Sequence, residues 1–177
     1  MIWFTADYHL AHKNIIEYCN RPFSSVKEMD QTILNNLSLV IKPGDDIYYL
    51  GDLSFNTESA RIFLDITKRC NVIFIKGNHD KGSVIHELKQ YKIPVYGLKT
   101  ITFDKQVIVL CHYAMRVWDR SHYNSWQLYA HSHGSLPPIG KQHDVGVDNN
   151  DFKPVSMSSL FEIMNQKPNN FNYIRGI

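Results

Sequence analysis

The sequence predicts a layered α/β fold, on three observations. Short apolar runs of strand character recur along the chain, segments of helical periodicity separate several of them, and run after run stops on an Asp, an Asn or a His. In layered α/β folds ligand sites gather where strand ends meet loops, so the third observation also predicts one composite polar site.

The first run, Ile2 to Thr5, reads as a buried strand leading to Asp7 and His9. Ser25 with Glu28 three residues on has the form of a capping box, and Val26, Met29, Ile33, Leu37 and Val40 repeat at helical spacing, which predicts a helix over Val26 to Val40. Pro43-Gly44-Asp45-Asp46 is turn chemistry, and the run Ile47 to Leu50 after it is a second strand, stopping at Gly51-Asp52. Thr57 is the expected cap of a helix whose apolar face includes Ala60, Phe63 and Leu64. Val72 to Ile75 then leads into Lys76-Gly77-Asn78-His79-Asp80. Ser83 to Tyr91 reads as a helix, Val95 to Phe103 as a strand broken by Gly97, and Val107 to Leu110 as a strand stopping at Cys111-His112. A shorter run at Leu128-Tyr129 stops at Ala130-His131-Ser132-His133, Val145 to Asp148 reads as a last short strand, and Ser156 to Met164 as a closing helix.

A length of 177 residues with 44% hydrophobic content suits one domain over 1–177 with one sizeable core. The 19 basic and 17 acidic side chains leave a formal charge of +2, too near balance to point to a nucleic-acid coat or a membrane surface. Cys19, Cys70 and Cys111 form no CxxC pair, so neither a disulfide framework nor a thiolate zinc knuckle is indicated, and a reducing cytoplasm is the expected setting. Asp7 interrupts the opening apolar run too early for a signal peptide, and no later run approaches membrane-spanning length.

Nine histidines is a high count for this length, and their placement tracks the strand ends. Asp7-x-His9 can aim an oxygen and an imidazole at one ion, Asp52 is a carboxylate able to bridge two, and His131-x-His133 with His112 adds three imidazoles. Gly77-Asn78-His79-Asp80 offers an amide oxygen, an imidazole able to donate a proton, and a carboxylate able to orient it. Each short motif has an ordinary reading as a turn or a packed histidine; their common order along successive strand ends is the specific signal.

That order, Asp-x-His, Gly-Asp, Gly-Asn-His-Asp, a strand-terminal His and a His-x-His, resembles the calcineurin-like metallophosphoesterase superfamily over most of the chain. The stretches His12-Lys13-Asn14-Ile15-Ile16, Cys19-Asn20-Arg21-Pro22-Phe23, His112-Tyr113-Ala114-Met115-Arg116 and Val145-Gly146-Val147-Asp148 are similar to its small bacterial and bacteriophage members. The resemblance implies a β-sandwich of two mixed sheets flanked by helices. It implies two divalent ions (Mn, Fe or Zn), one held by Asp7, His9 and His133, the other by Asn78, His112 and His131, with Asp52 between them. It also implies a metal-bridging hydroxide that attacks phosphorus, with His79 protonating the leaving group and Asp80 holding the His79 ring. His12, Arg21, Arg116 and Arg120 are the candidate substrate contacts. The substrate class is a small phosphoester, with a nucleotide-type phosphodiester preferred because little chain is left over for a cap; a phosphomonoester at the same site and a non-catalytic metal-binding scaffold are the alternatives. Two positions depart from the family's usual form. Ala130 stands where Gly usually precedes His-x-His, which matters if that position needs positive φ. Gly51-Asp52-Leu53-Ser54-Phe55 lacks the Gly-Asp-x-x-Asp-Arg-Gly form of the phosphoprotein phosphatases, which argues against a Ser/Thr protein phosphatase.

Overall fold

In the computed structural model, which describes residues 1–174, two mixed sheets pack face to face. The expected domain boundary at residue 177 therefore lies three positions beyond the described residues. The first sheet has the order β4-β3-β2-β1-β9, formed by Val95–Tyr96, Asn71–Ile75, Asp46–Tyr49, Ile2–Thr5 and Val155–Ser156. Its first four strands are parallel, and β9 closes the edge antiparallel to β1. The second sheet runs β5-β6-β7-β8, formed by Leu98–Phe103, Gln106–Cys111, Trp126–Tyr129 and Gln142–Asp144, antiparallel at β5-β6 and parallel beyond.

Period-two alternation divides the first sheet between two cores. Ile47, Tyr49, Val72 and Phe74 face a layer of helices, α1 (Ile15–Tyr18), α2 (Val26–Val40), α3 (Thr57–Thr67) and α4 (Gly82–Gln90), and pack with Ile15, Met29, Ile33, Leu37, Phe63 and Leu88. Phe4, Leu50 and Ile75 face the second sheet and meet Ile108, Leu110, Trp126 and Leu128; Leu160 and Met164 of α5 (Met157–Gln166) join that inner core. No helix among the described residues is long and apolar enough to cross a membrane.

Three local expectations need correction. The cap of α3 is Asn56, whose side chain accepts from the Ser59 amide at 2.8 Å, and Thr57 is the first helical residue. The run expected as one strand broken at Gly97 is two strands, β4 and β5, in different sheets, so the chain changes sheet at that glycine. Val145 to Asp148 is not a strand: β8 ends at Asp144, Gly146 makes a single bridge to Ala6, and Val147–Asn149 form a 3-10 turn. The Asp144 carboxylate accepts from the Gly146 amide at 2.8 Å, which turns the chain out of the ladder. At α2 the Ser25 hydroxyl caps the Glu28 amide as expected, while the Glu28 carboxylate reaches the Ser24 amide and hydroxyl in place of the Ser25 amide.

Candidate metal centre

Asp7 follows β1, Asp52 follows β2, Asn78 follows β3, His112 follows β6, and His131 and His133 follow β7, so these residues meet where the carboxyl ends of parallel strands open into loops. The loops after β1 and β2 remain zipped together, with the amides of Asp7, His9 and Leu10 donating to the carbonyls of Gly51, Asp52 and Leu53 at 3.0, 3.0 and 2.9 Å. Inside this frame Asp7, His9, Asp52, His131 and His133 all adopt left-handed backbone conformations, with φ of 59°, 50°, 58°, 68° and 46°. Each such residue costs about 1–3 kcal/mol, and this kind of strain gathers at ligand sites. Ala130 is not among the left-handed residues. It lies buried in the inner core, so its methyl group is compatible with the strand end, and the turn is made by the two histidines after it.

Among the described residues three sets of potential ligand atoms lie within 4.8 Å of one another: Asp7 with His9 and His133, Asp52 with His112 and His131, and Cys19 with His133 and Asp148; the first two comprise six of the seven expected ligands. Asp52 Oδ2 faces both of these first two groups, 3.6 Å from His9 Nε2 and 3.4 Å from His112 Nε2. Its Oδ1 accepts from the His79 amide at 2.8 Å. Asn78 Oδ1 lies 3.1 Å from His112 Nε2, on the second group's side. The tautomers are set from behind. His112 Nδ1 lies 2.7 Å from the Leu50 carbonyl, which can only accept, and His133 Nδ1 lies 2.7 Å from Asp148 Oδ2, so each ring turns Nε2 toward the centre. Asp7 Oδ2 accepts from the His131 amide at 2.8 Å, which leaves Oδ1 free.

Electrostatics follow from packing carboxylates and imidazoles out of water. Burial lifts the Asp7 carboxyl to about 7, against the pull of His133 and His112. Burial pushes His9 down to about 2. His133 is also disfavoured as a cation by burial, but its bonds to Asp148 and Cys19 and the charge of Asp7 outweigh that and raise it to about 10.

Two expected roles are corrected by the hydrogen bonds. The Asp80 carboxylate does not hold the His79 ring; it is buried and accepts from the backbone amides of Asp52, Leu53 and Gly77 at 3.0, 3.0 and 2.7 Å, tying the loops after β2 and β3 together. Arg21 is not a substrate contact; it is 4% exposed, pairs with both oxygens of Asp148 at 2.8 Å, and donates to the carbonyls of Asp7 and Tyr8. Arg21 and Asp148 thus brace His133 and the Asp7 loop, across 127 positions of sequence that give no local sign of the pairing.

The donors open into a cleft of about 570 Å³ lined by His9, His12, Tyr18, His79, His131 and His133 among others. Of the four expected substrate contacts, His12 lines this cleft. Arg116 and Arg120 do not line this cleft: Arg116 stacks on Phe171 at 4.4 Å, and Arg120 borders a separate hollow beside Tyr123. Cys19 and Tyr18 were not foreseen at the cleft, since no spacing in the sequence links either of them to the strand-end residues.

No family model matches the chain. Over 172 residues it is 28% identical to an uncharacterized protein of Methanocaldococcus jannaschii, covering 92% of this chain and 90% of that one. Among solved structures it is similar to a protein of unknown function from Aquifex aeolicus, at 28% identity and a TM-score of 0.72, covering 92% of this chain and 98% of that one. A looser likeness, at 15% identity and a TM-score of 0.46 over 82% of this chain and 75% of that one, is to the phosphoesterase Yfce from E. coli.

Proposed function

We propose that this chain is a metal-dependent phosphoesterase of the calcineurin-like kind, acting on a phosphodiester of nucleotide type at the strand-end cleft. The observation that carries the reading is a set of buried donor atoms without a hydrogen-bond partner among the described residues: Asp7 Oδ1, Asp52 Oδ2 and both ring nitrogens of His9. An unsatisfied buried polar group costs about 1–3 kcal/mol, more when charged, and divalent cations at this centre would satisfy them together.

Mixed carboxylate, imidazole and amide donors suit Mn, Fe or Zn. Asp7, His9 and His133 would hold one ion, and His112, His131 and Asn78 another, with Asp52 presented to both. Bound there, such ions acidify water and neutralise charge on a phosphoryl group. The residues around them do the rest. Arg21 and Asp148 fix the face that His133 presents, and Asp80 fixes the backbone that carries Asp52. In this reading His79, whose exposed ring lines the cleft and whose amide donates to Asp52, stands beside the donors and is not one of them. From there the imidazole can donate a proton to the departing oxygen.

The test is hydrolysis of bis(p-nitrophenyl) phosphate against p-nitrophenyl phosphate by chelator-treated protein reloaded with Mn, Fe, Ni or Zn. The expected result is metal-dependent turnover with the diester preferred. A monoester preference would reassign the same site to a phosphatase, and bound metal without turnover of either ester would make the chain a metal-binding scaffold.

A further inference from the structure

We infer that the cleft takes a phosphoester one arm of which carries a flat, uncharged aromatic ring, a nucleoside being the fitting class, and that this ring seats in the corner between His12 and Tyr18, face to one and edge to the other. This rests on the proposed reading only in placing the phosphate at the buried donors.

Beside those donors the cleft has a wall of rings. His12 lies flat on Phe55, with centroids 3.8 Å apart and planes 17° apart, and His79 is stacked on the same phenyl ring at 5.4 Å and 30°. Tyr18 meets His12 edge-on at 6.2 Å and 75°. The row of rings therefore runs from His79, next to the donors, through His12 to Tyr18, where the last two planes meet as a corner. Phe55 holds both imidazoles from behind, so little order has to be imposed when a ligand ring arrives. Tyr18 is 71% exposed although it stands on a helix, Ile15–Tyr18, that Ile15 already anchors in the core, so packing does not account for its ring. Among the described residues lining the cleft none is Lys or Arg: Arg21 is committed to Asp148, and the Lys81 ammonium sits over Phe55, 5.3 Å from its centroid. A row of rings whose neighbouring ammonium, that of Lys81, already lies over Phe55 suits an uncharged ring in place of a second phosphate, because stacking is sequence-tolerant and needs no ion pair.

The experiment is calorimetric binding of thymidine 5′-monophosphate and of methyl phosphate to the Mn-loaded protein, which needs no turnover. The nucleotide is expected to bind about tenfold tighter or better, the scale of one stacked base. Tyr18→Ala should remove most of that preference and Tyr18→Phe should keep it, with circular dichroism confirming that the exposed substitution leaves the fold intact. Equal affinities in the native protein, or a preference undiminished in both Tyr18→Ala and His12→Ala, would overturn the inference. Failure of the phosphoesterase reading shows separately, as nitrophenyl diesters left intact by a protein that still prefers the nucleotide.

Discussion

His79 and His133 show how differently two histidines can serve one centre. The His133 ring is clamped from behind by Asp148, itself held by Arg21, so its role is set by what it donates to. Asp148→Asn should weaken metal binding about 10- to 100-fold, measured by competition with a chelating dye, with the change confined to the ion held by Asp7, His9 and His133. His79 is held through its backbone and by stacking on Phe55, with no hydrogen bond to its ring from the described residues, so His79→Ala should leave metal content unchanged while lowering kcat about 100-fold or more. Near-normal turnover in that variant would remove it as the proton donor.

The charges of these residues also predict a pH response. In the ion-free protein His133 is raised to about 10, so its contribution to stability is full below about 6.5 and is lost as pH rises through 10. Asp7 is an acid raised to about 7 by burial, so the ion-free fold loses stability as pH climbs from about 4 through 7. Metal needs both groups deprotonated. Binding should therefore release protons at pH 7.5 and tighten as pH rises, which calorimetry in buffers of different ionisation enthalpy would detect; a buffer-independent heat would contradict it.

At the scale of elements, the structure separates what local chemistry reveals from what it hides. The strand β1 and the helix α2 were legible because period-two and period-3.6 patterns and a capping box are short-range signals. The break at Gly97 was visible too, but not its meaning, since a change of sheet depends on partners far along the chain. The same distance hid the Arg21 and Asp148 pair, and it misassigned Asp80, whose three backbone partners belong to two different loops. That Asp7, His9, Asp52, His112, His131 and His133 come together was legible because strand ends bring them to one place.

Element junctions also carry testable strain. Gly51 has φ of +96°, and a Cβ there would lie 2.6 Å from the Gly77 amide nitrogen and 2.7 Å from His112 Nδ1. Gly51→Ala should lower Tm by about 4–8 °C, a cost of about 2 kcal/mol, and should weaken metal binding as well because the clash falls on His112, one of the proposed ligands. Asn56→Ala, which removes only the cap of α3, should cost about 1 kcal/mol and leave metal binding as it was.

Across the whole molecule, two cores serve one edge. The helix layer and the inner sandwich core both lock the parallel strands whose ends bear the donors, so the left-handed turns can be held in place by packing elsewhere. A site this strained and this short of partners should be stabilised by what fills it, so Tm should rise with Mn concentration and fall on adding chelator. The most direct test is turnover of bis(p-nitrophenyl) phosphate by metal-free protein as Mn is added, with bound metal counted in parallel. The account predicts no activity in metal-free protein and a rise that saturates as a second ion per chain is bound. Activity indifferent to metal, or its absence with both ions bound, would contradict it.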